Sequence, residues 1–193
     1  MNYRNYIFWF FAAMVLVQIV LPLRTVYQHE TILRSGNVYK FSTAPVDPND
    51  PFRGRYVSLG FRNLEDDLPV AEVQQIASSV TTGQQVYIPV TADERGYVKA
   101  TGLQTSPPTE EGTDYFTAEV DFLFHAQTDS AKMRLQYPFE RFFMEEFKAP
   151  EAEDRYREAL RDTTTEVYAL VRIGAGISVL EDVLIDGKSL RED

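Results

Sequence analysis

An uncharged run of 18 residues near the amino terminus constrains this chain more than any other feature. It covers residues 6–23 and has the sequence YIFWFFAAMVLVQIVLPL. As an α-helix, which rises about 1.5 Å per residue, it would be about 27 Å long, close to the hydrocarbon thickness of a bilayer. Tyr6 and Trp9 stand near one end, as aromatic residues do at membrane interfaces, and Pro22 marks the other end. We therefore predict a helix that spans a membrane.

The flanks of this run favour an uncleaved anchor over a cleaved signal peptide. The run is long for the apolar core of a signal peptide, and no small-x-small cleavage site precedes His29. Arg4 favours an amino terminus inside the cell, whereas Arg24 and Arg34 lie on the other flank. We predict that residues 1–34 form the anchor and a juxtamembrane helix, and that residues 35–193 form one domain outside.

Composition excludes several classes of function. The 193 residues include 19 Lys and Arg against 29 Asp and Glu, a net charge of −10 that repels phosphate backbones, so we expect no nucleic acid partner. There is no cysteine, which excludes disulfides, a thiolate nucleophile and a zinc site built on sulfur. The two histidines, His29 and His125, are far apart in the sequence. We therefore predict no metal and no cofactor.

Alternating apolar residues dominate the chain after the anchor and predict strands. We expect strands at residues 38–43, 57–61, 85–90, 97–101, 115–125, 133–137, 167–173 and 177–185, and helices at 70–80 and 150–161. Turn residues lie between many of these segments, which favours antiparallel pairing. The predicted fold is α+β and β-rich: one transmembrane helix, then a compact domain of seven or eight short strands with one or two helices.

The segment 115–125 is the clearest of these strands. We expect one face to be buried and the other to be exposed to water. The predicted buried face consists of Phe116, Ala118, Val120, Phe122 and Phe124.

Residues 45–61 have the sequence PVDPNDPFRGRYVSLGF. This stretch resembles the motif that names the GDYXXLXY family of bacterial membrane-anchored proteins. In that family, a segment similar to PVDPRD precedes a hydrophobic residue, Arg-Gly, Asp-Tyr, two variable residues, Leu, one variable residue and Tyr. The matching positions here are Asp47, Pro48, Arg53, Gly54, Tyr56 and Leu59, whereas Arg55 stands in place of Asp and Phe61 in place of the final Tyr.

The resemblance extends over most of the chain, because the apolar amino-terminal run, the aromatic stretch at 137–146 and the turn at 185–188 follow in the family's order. It implies a bacterial membrane-anchored protein; together with the flanking charges, we predict a single-pass protein of the cytoplasmic membrane, with the amino terminus inside and a periplasmic domain on the outer side. Family members are often encoded beside multi-span membrane proteins. The family has no characterised activity, so the resemblance implies a class of partner and no reaction.

The motif supplies the candidate binding residues, which are Asp47, Asp50, Arg53, Gly54, Arg55, Tyr56 and Leu59. In one interpretation, Arg53 and Arg55 lie on the same face of a strand and form a fork for a carboxylate or phosphate group. In the other, the aspartates accept hydrogen bonds from turn amides and the prolines set the entry of a strand. The second interpretation accounts for every residue except Arg55.

An enzyme is the main alternative. A membrane-anchored serine–lysine hydrolase would use Ser42 or Ser58 with Lys40 or Lys99, although none lies in a recognisable nucleophile motif.

Other candidates have simpler explanations. Glu140, Glu145 and Glu146 are typical of an exposed turn before a helix, and His125 is typical of a strand end. The aromatic residues Tyr137, Phe139, Phe142 and Phe143 are expected mostly in the core, with part of the cluster available to dock a partner.

We therefore predict no catalytic residue. The expected function is that of a non-catalytic accessory or binding subunit of a multi-span membrane protein, held in the lipid bilayer by its helix. An anchored binder of a small anionic ligand is the third hypothesis, and it depends on Arg53 and Arg55.

Overall fold

The computed structural model describes residues 3–44, 56–62, 64–110, 112–125, 131–162 and 164–192. Helix α1 (Tyr3–Ser35) has 33 residues and includes Pro22 without ending there. Its most apolar 18-residue window has a mean hydropathy of 2.2 and is 0% buried by the rest of the protein, so the helix is long and apolar enough to cross a membrane. The helix therefore covers both the predicted span and the predicted juxtamembrane segment.

A β-rich domain follows the helix. Its described strands are β1 (Asn37–Ala44), β2 (Tyr56–Ser58), β3 (Gly60–Phe61), β4 (Gln85–Ala92), β5 (Val98–Ala100), β6 (Tyr115–His125), β7 (Ala131–Gln136), β8 (Arg141–Phe143), β9 (Val167–Gly174), β10 (Ile177–Ile185) and β11 (Lys188–Ser189). Two further helices are α2 (Val70–Ala77) and α3 (Ala149–Arg161), and a short 3-10 helix covers Leu64–Asp67. The predicted α+β, β-rich class is confirmed.

The described strands form three antiparallel sheets. One has the order β11-β10-β9-β1-β3, the second is the pair β2-β8, and the third has the order β5-β4-β6-β7. Hairpins account for β4-β5, β6-β7, β9-β10 and β10-β11. The longer-range pairs are β1 with β9, β1 with β3, β2 with β8 and β4 with β6.

The core lies where the five-stranded and four-stranded sheets meet. Phe41 of β1 and Phe116 of β6 are 1% and 0% exposed, and their ring centroids are 5.8 Å apart. Phe139, which precedes β8, packs edge-on against Phe41 at 4.8 Å. Such edge-to-face contacts add to the stabilisation from burial of the rings themselves. The predicted alternation in β1, with Tyr39 and Phe41 buried, is confirmed.

Tight turns close the last two hairpins. Ala175 and Gly176 both have positive φ between β9 and β10, and Asp186 and Gly187 repeat this between β10 and β11. Two consecutive positive φ values are typical of type I′ turns, whose twist matches that of the strands they join. Both turns lie where the glycines of the sequence indicate them.

Two details of the predicted strands are wrong. The run 57–61 is divided at Leu59 into β2, which pairs with β8, and β3, which pairs with β1. In β6, the register shifts between Val120 and Phe122, and Phe122 is 53% exposed although the alternation predicts it to be buried. A β-bulge explains this, since one extra residue moves the following side chains to the opposite face.

Helix α1 joins the domain through a junction formed by Ile32, Gly36, Arg172, Gly174 and Glu181. Ile32 is 8% exposed, and a Cβ at Gly36 would lie 2.7 Å from the Ile32 carbonyl oxygen. Arg172 donates to both carboxylate oxygens of Glu181, at 2.7 and 3.1 Å, and to the Gly36 carbonyl oxygen at 3.2 Å. Only Gly36 separates the helix from β1, so the end of α1 has a fixed position on the sheet.

Candidate functional site

A cleft of about 610 Å³ lies between the β2-β8 pair and the solvent-facing side of the four-stranded sheet. We call it the sheet cleft. It is lined by Tyr56, Ser58, Leu59, Gln85, Thr117, Ala118, Glu119, Gln136, Tyr137, Pro138, Glu140, Arg141 and Phe143. Its volume falls within the range of about 300–1,000 Å³ that is usual for small-molecule sites.

A row of polar side chains forms the floor of the sheet cleft. Gln85 of β4 is paired with Glu119 of β6, and Glu119 is paired with Gln136 of β7. Directly opposed residues of neighbouring strands project from the same face at a strand spacing of about 4.8 Å. All three are exposed, and their side chains form no hydrogen bond with any residue in the described part of the chain. The row therefore offers two carboxamides and a carboxylate to solvent.

The β2-β8 pair forms a wall beside this floor. Tyr56 is paired with Phe143, and the centroids of their rings are 5.7 Å apart. The Arg141 guanidinium lies 5.5 Å from the centroid of the Tyr56 ring, within the range of a cation–π contact. Phe143 is 63% exposed, which leaves much of its ring accessible.

Glu140 connects the cleft to the protein interior. Its carboxylate accepts a hydrogen bond from the Tyr137 backbone N–H at 2.9 Å, and its carbonyl oxygen accepts one from the Leu59 N–H at 2.8 Å. Partial burial raises the pKa of the Glu140 carboxyl, while the Tyr137 hydrogen bond and the positive charges of Arg134 and Arg141 oppose the shift. Glu140 is thus a carboxyl whose charge is incompletely compensated.

Two of the predicted binding residues, Tyr56 and Leu59, line the sheet cleft. Leu59 is 3% exposed, and its backbone hydrogen bond to Glu140 brings β2 and the 137–143 segment together. The other predicted binding residues, Asp47, Asp50, Arg53, Gly54 and Arg55, lie outside the described residues. The pairing of Arg53 with an aspartate and the arginine fork therefore stay predictions.

Of the hydrolase candidates, Ser42 and Lys99 line the same small cleft, and Ser58 lies elsewhere. Ser58 lines the sheet cleft, whereas Ser42 and Lys99 line a second cleft of about 170 Å³. Lys99 is exposed. The Lys40 ammonium lies 4.8 Å from the Tyr168 ring centroid and 5.6 Å from that of Tyr97, so its surroundings are aromatic.

The remaining candidates divide into buried and exposed groups. Of the predicted aromatic cluster, Tyr137, Phe139 and Phe142 are buried and Phe143 is exposed. Glu145 and Glu146 are exposed in the turn before α3. The side chain of His125 lies outside the described residues. Within the ranges that the structure describes, no three His, Cys, Asp or Glu side chains are grouped to hold a metal ion.

Sequence reasoning missed the floor of the cleft. Gln85, Glu119 and Gln136 each occupy the polar phase of an alternating strand, so the sequence indicates that they face solvent. It does not indicate that they are neighbours, because that depends on the register of three strands. Glu140 was expected in an exposed turn, whereas it is half-buried and hydrogen-bonded, and Arg141 was not singled out in a segment dominated by aromatic residues.

The fold and the cleft define a class: a β-rich domain with an open polar cleft, continuous with one long apolar helix. A family model described as "GDYXXLXY protein" matches residues 18–183, which is most of the chain. The protein therefore belongs to the GDYXXLXY family, and the resemblance of its 45–61 motif is confirmed. No curated protein and no solved structure matches the chain.

Proposed function

We propose that this protein is a membrane-anchored accessory subunit whose outer domain binds a multi-span partner in a bacterial cytoplasmic membrane. In this proposal α1 crosses the bilayer at residues 6–23, with the amino terminus inside. The helix meets the β-rich domain at Ile32, nine residues beyond the span, or about 14 Å of helix. The partner is a protein of the same membrane, and the domain carries out no reaction of its own.

The junction is the observation that supports this proposal. A tethered enzyme that acts on diffusing substrates requires no fixed orientation, and a flexible linker serves it well. Here the Gly36 carbonyl oxygen, at the end of α1, accepts a hydrogen bond from Arg172, and Arg172 is in turn held by Glu181. A domain fixed on its helix presents the same side to every neighbour in the membrane, which is what a stable subunit interface requires.

Exposed aromatic residues give the domain a surface suited to such an interface. Phe143, the last residue of β8, and Phe147, in the turn before α3, are 63% and 95% exposed. Aromatic residues are enriched in protein interfaces, since their large rings supply contact area with few rotatable bonds.

The test is affinity purification of the full tagged chain from detergent-solubilised membranes, followed by quantitative mass spectrometry. The native chain is expected to recover one multi-span protein in near-equimolar amount. A flexible six-residue Gly-Ser insertion between Gly36 and Asn37 should reduce that recovery strongly. The same insertion after Thr109, in an exposed loop, is the matched control and should leave it unchanged.

Two results would contradict the proposal. One is recovery of no stoichiometric membrane protein with the native chain, and the other is full recovery with the junction insertion. The topology is tested separately by adding protease to intact spheroplasts. The domain should be cleaved without lysis, and protection until lysis would reverse the assigned orientation.

A further inference from the structure

The floor of the sheet cleft is a row of polar side chains that can form hydrogen bonds with a ligand. Gln85 and Gln136 each offer an amide donor and a carbonyl acceptor, and Glu119 between them offers two acceptor oxygens. Hydroxyl groups both donate and accept, so adjacent hydroxyls of a ligand match an amide–carboxylate–amide row. The strand spacing of about 4.8 Å is close to the length of a pyranose ring, so neighbouring side chains reach opposite ends of one sugar.

The wall of the cleft supplies the complementary apolar contact. The accessible ring of Phe143 offers a flat surface against which the C–H face of a sugar packs, while Tyr56 is partly covered by Arg141. Ser58, paired with Arg141 in the same two strands, adds a hydroxyl to the wall. Polar groups on the floor and an aromatic ring on the wall thus surround the same space.

The charges of the cleft argue against other ligand classes. Among the described residues that line the cleft, an anion would meet the carboxylates Glu119 and Glu140 and one cation, Arg141. A metal cation would find no group of three carboxylate or imidazole side chains among the described residues, and an organic cation would meet the Arg141 guanidinium on the wall. A wholly apolar segment would cover the floor and leave its amides and carboxylate without hydrogen bonds, which is costly for buried polar groups. A neutral ligand rich in hydroxyls satisfies the floor and the wall together.

We propose that the sheet cleft is a binding site for a neutral oligosaccharide. Gln85, Glu119 and Gln136 bind the hydroxyls, and Phe143 packs against a sugar face. The site requires only the β-rich domain, so sugar binding is measured without the membrane partner, although Phe143 also belongs to the aromatic surface proposed for that partner. A glycan-binding domain held at a fixed orientation by its helix would place that ligand beside the membrane.

The experiment is isothermal titration calorimetry on the full chain in lipid nanodiscs that contain no glycolipid. Maltoside and glucoside detergents are avoided, because their sugar headgroups would compete for the site. The probes are chitotetraose, cellotetraose and maltotetraose, with tetragalacturonate as the charged comparison. At least one neutral tetrasaccharide is expected to bind saturably at one site, and tetragalacturonate is expected to bind more weakly.

Matched variants connect the binding to the cleft. Gln136→Ala and Phe143→Ala should each weaken binding by about tenfold, a loss typical of one good contact. Gln75→Ala and Phe122→Ala change exposed residues of the same types that do not line the cleft, and these controls should bind as the native chain does. Unchanged circular dichroism would show that each variant folds.

Three outcomes would overturn the proposal. They are the absence of saturable binding by every neutral tetrasaccharide, equal weakening by the control substitutions, and tighter binding of tetragalacturonate than of any neutral probe. If no sugar binds but a peptide of the membrane partner does, and Gln136→Ala weakens binding of that peptide, the cleft is a protein-docking site instead.

Discussion

The junction and the sheet cleft use polar side chains in opposite ways. At the junction, Arg172 has three hydrogen bonds, to Glu181 and to the Gly36 carbonyl, and is mostly buried. In the cleft, Gln85 and Gln136 stand in register with Glu119 and face solvent. The first arrangement consumes its hydrogen-bonding capacity in fixing a helix to a sheet. The second leaves that capacity available, which is the property of a surface that binds something else.

This difference implies that the two regions respond differently to substitution. Changes at the junction should lower the free energy of unfolding, because they create overlap or leave buried groups unpaired. Changes in the floor row of the cleft should leave folding nearly unaltered and act on binding. Each of the following predictions tests one side of that comparison.

The largest effect is expected at Gly36. An alanine Cβ there would lie 2.7 Å from the Ile32 carbonyl oxygen and 3.2 Å from that of Ile173. Backbone atoms cannot rotate away, so the helix end must shift, and we expect Gly36→Ala to cost about 3 kcal/mol. Urea denaturation of the full chain in detergent micelles, followed by circular dichroism, measures this. Gly102→Ala, whose nearest neighbour would be 3.5 Å away, is the control.

Arg172→Ala is expected to have the next largest effect. It removes both hydrogen bonds to Glu181 and the one to Gly36, and it leaves a carboxylate that is 35% exposed without its partner. We expect a loss of about 2 kcal/mol, since the pair is only partly buried. The double variant Arg172→Ala with Glu181→Ala should recover part of this loss. A single variant as stable as the native chain would show that the junction is held by apolar packing alone.

Local features of the fold could be predicted from the sequence, and non-local ones could not. Helix α1, strand β6 and the two turns with positive φ each follow from a pattern within a short window, such as the glycines at 176 and 187. The bulge after Val120 could not be predicted, because the alternation of apolar residues continues through it. Likewise, nothing near Leu59 in the sequence shows that β2 and β3 pair with different strands.

The candidate site was predicted in part, through the family motif and through residues weighed for other roles, namely Ser58, Tyr137, Glu140 and Phe143. Tyr56 and Leu59 were identified through the motif, and both line the cleft. The floor depends on the pairing of Gln85 with Glu119 and of Glu119 with Gln136, residues separated by 34 and 17 positions (119 − 85 and 136 − 119). Register between distant strands is set by packing of the opposite, apolar face, and therefore is not visible in the polar residues themselves.

The pH dependence of stability should show a smaller effect, which arises at Glu140, where the cleft connects to the protein interior. The folded protein raises the pKa of Glu140, so it binds that proton more tightly than the unfolded chain does. Stability therefore falls as the pH rises through the ordinary carboxyl pKa up to the raised one, and the loss persists above it. Relative to Glu140→Gln, the native chain should lose stability as the pH rises from about 4, the ordinary carboxyl range, until it passes the raised pKa of Glu140.

Urea midpoints of both proteins across this pH range measure the effect. Glu94→Gln changes an exposed carboxylate in the β4-β5 turn and serves as the control. Curves that are parallel for the native chain and Glu140→Gln would show that the carboxyl has the same pKa in the folded and unfolded states.

The smallest effect on stability is expected in the floor of the cleft. Gln136 is exposed, and its side chain has no hydrogen bond recorded within the described residues, so Gln136→Ala should change the free energy of unfolding by less than about 0.5 kcal/mol. The same urea experiment measures this. A loss as large as that of Arg172→Ala would mean that the floor row stabilises the sheet, and the contrast between the two regions would then fail. A near-zero change in the free energy of unfolding, together with weaker tetrasaccharide binding, would show that the floor row binds a ligand and contributes little to the stability of the fold.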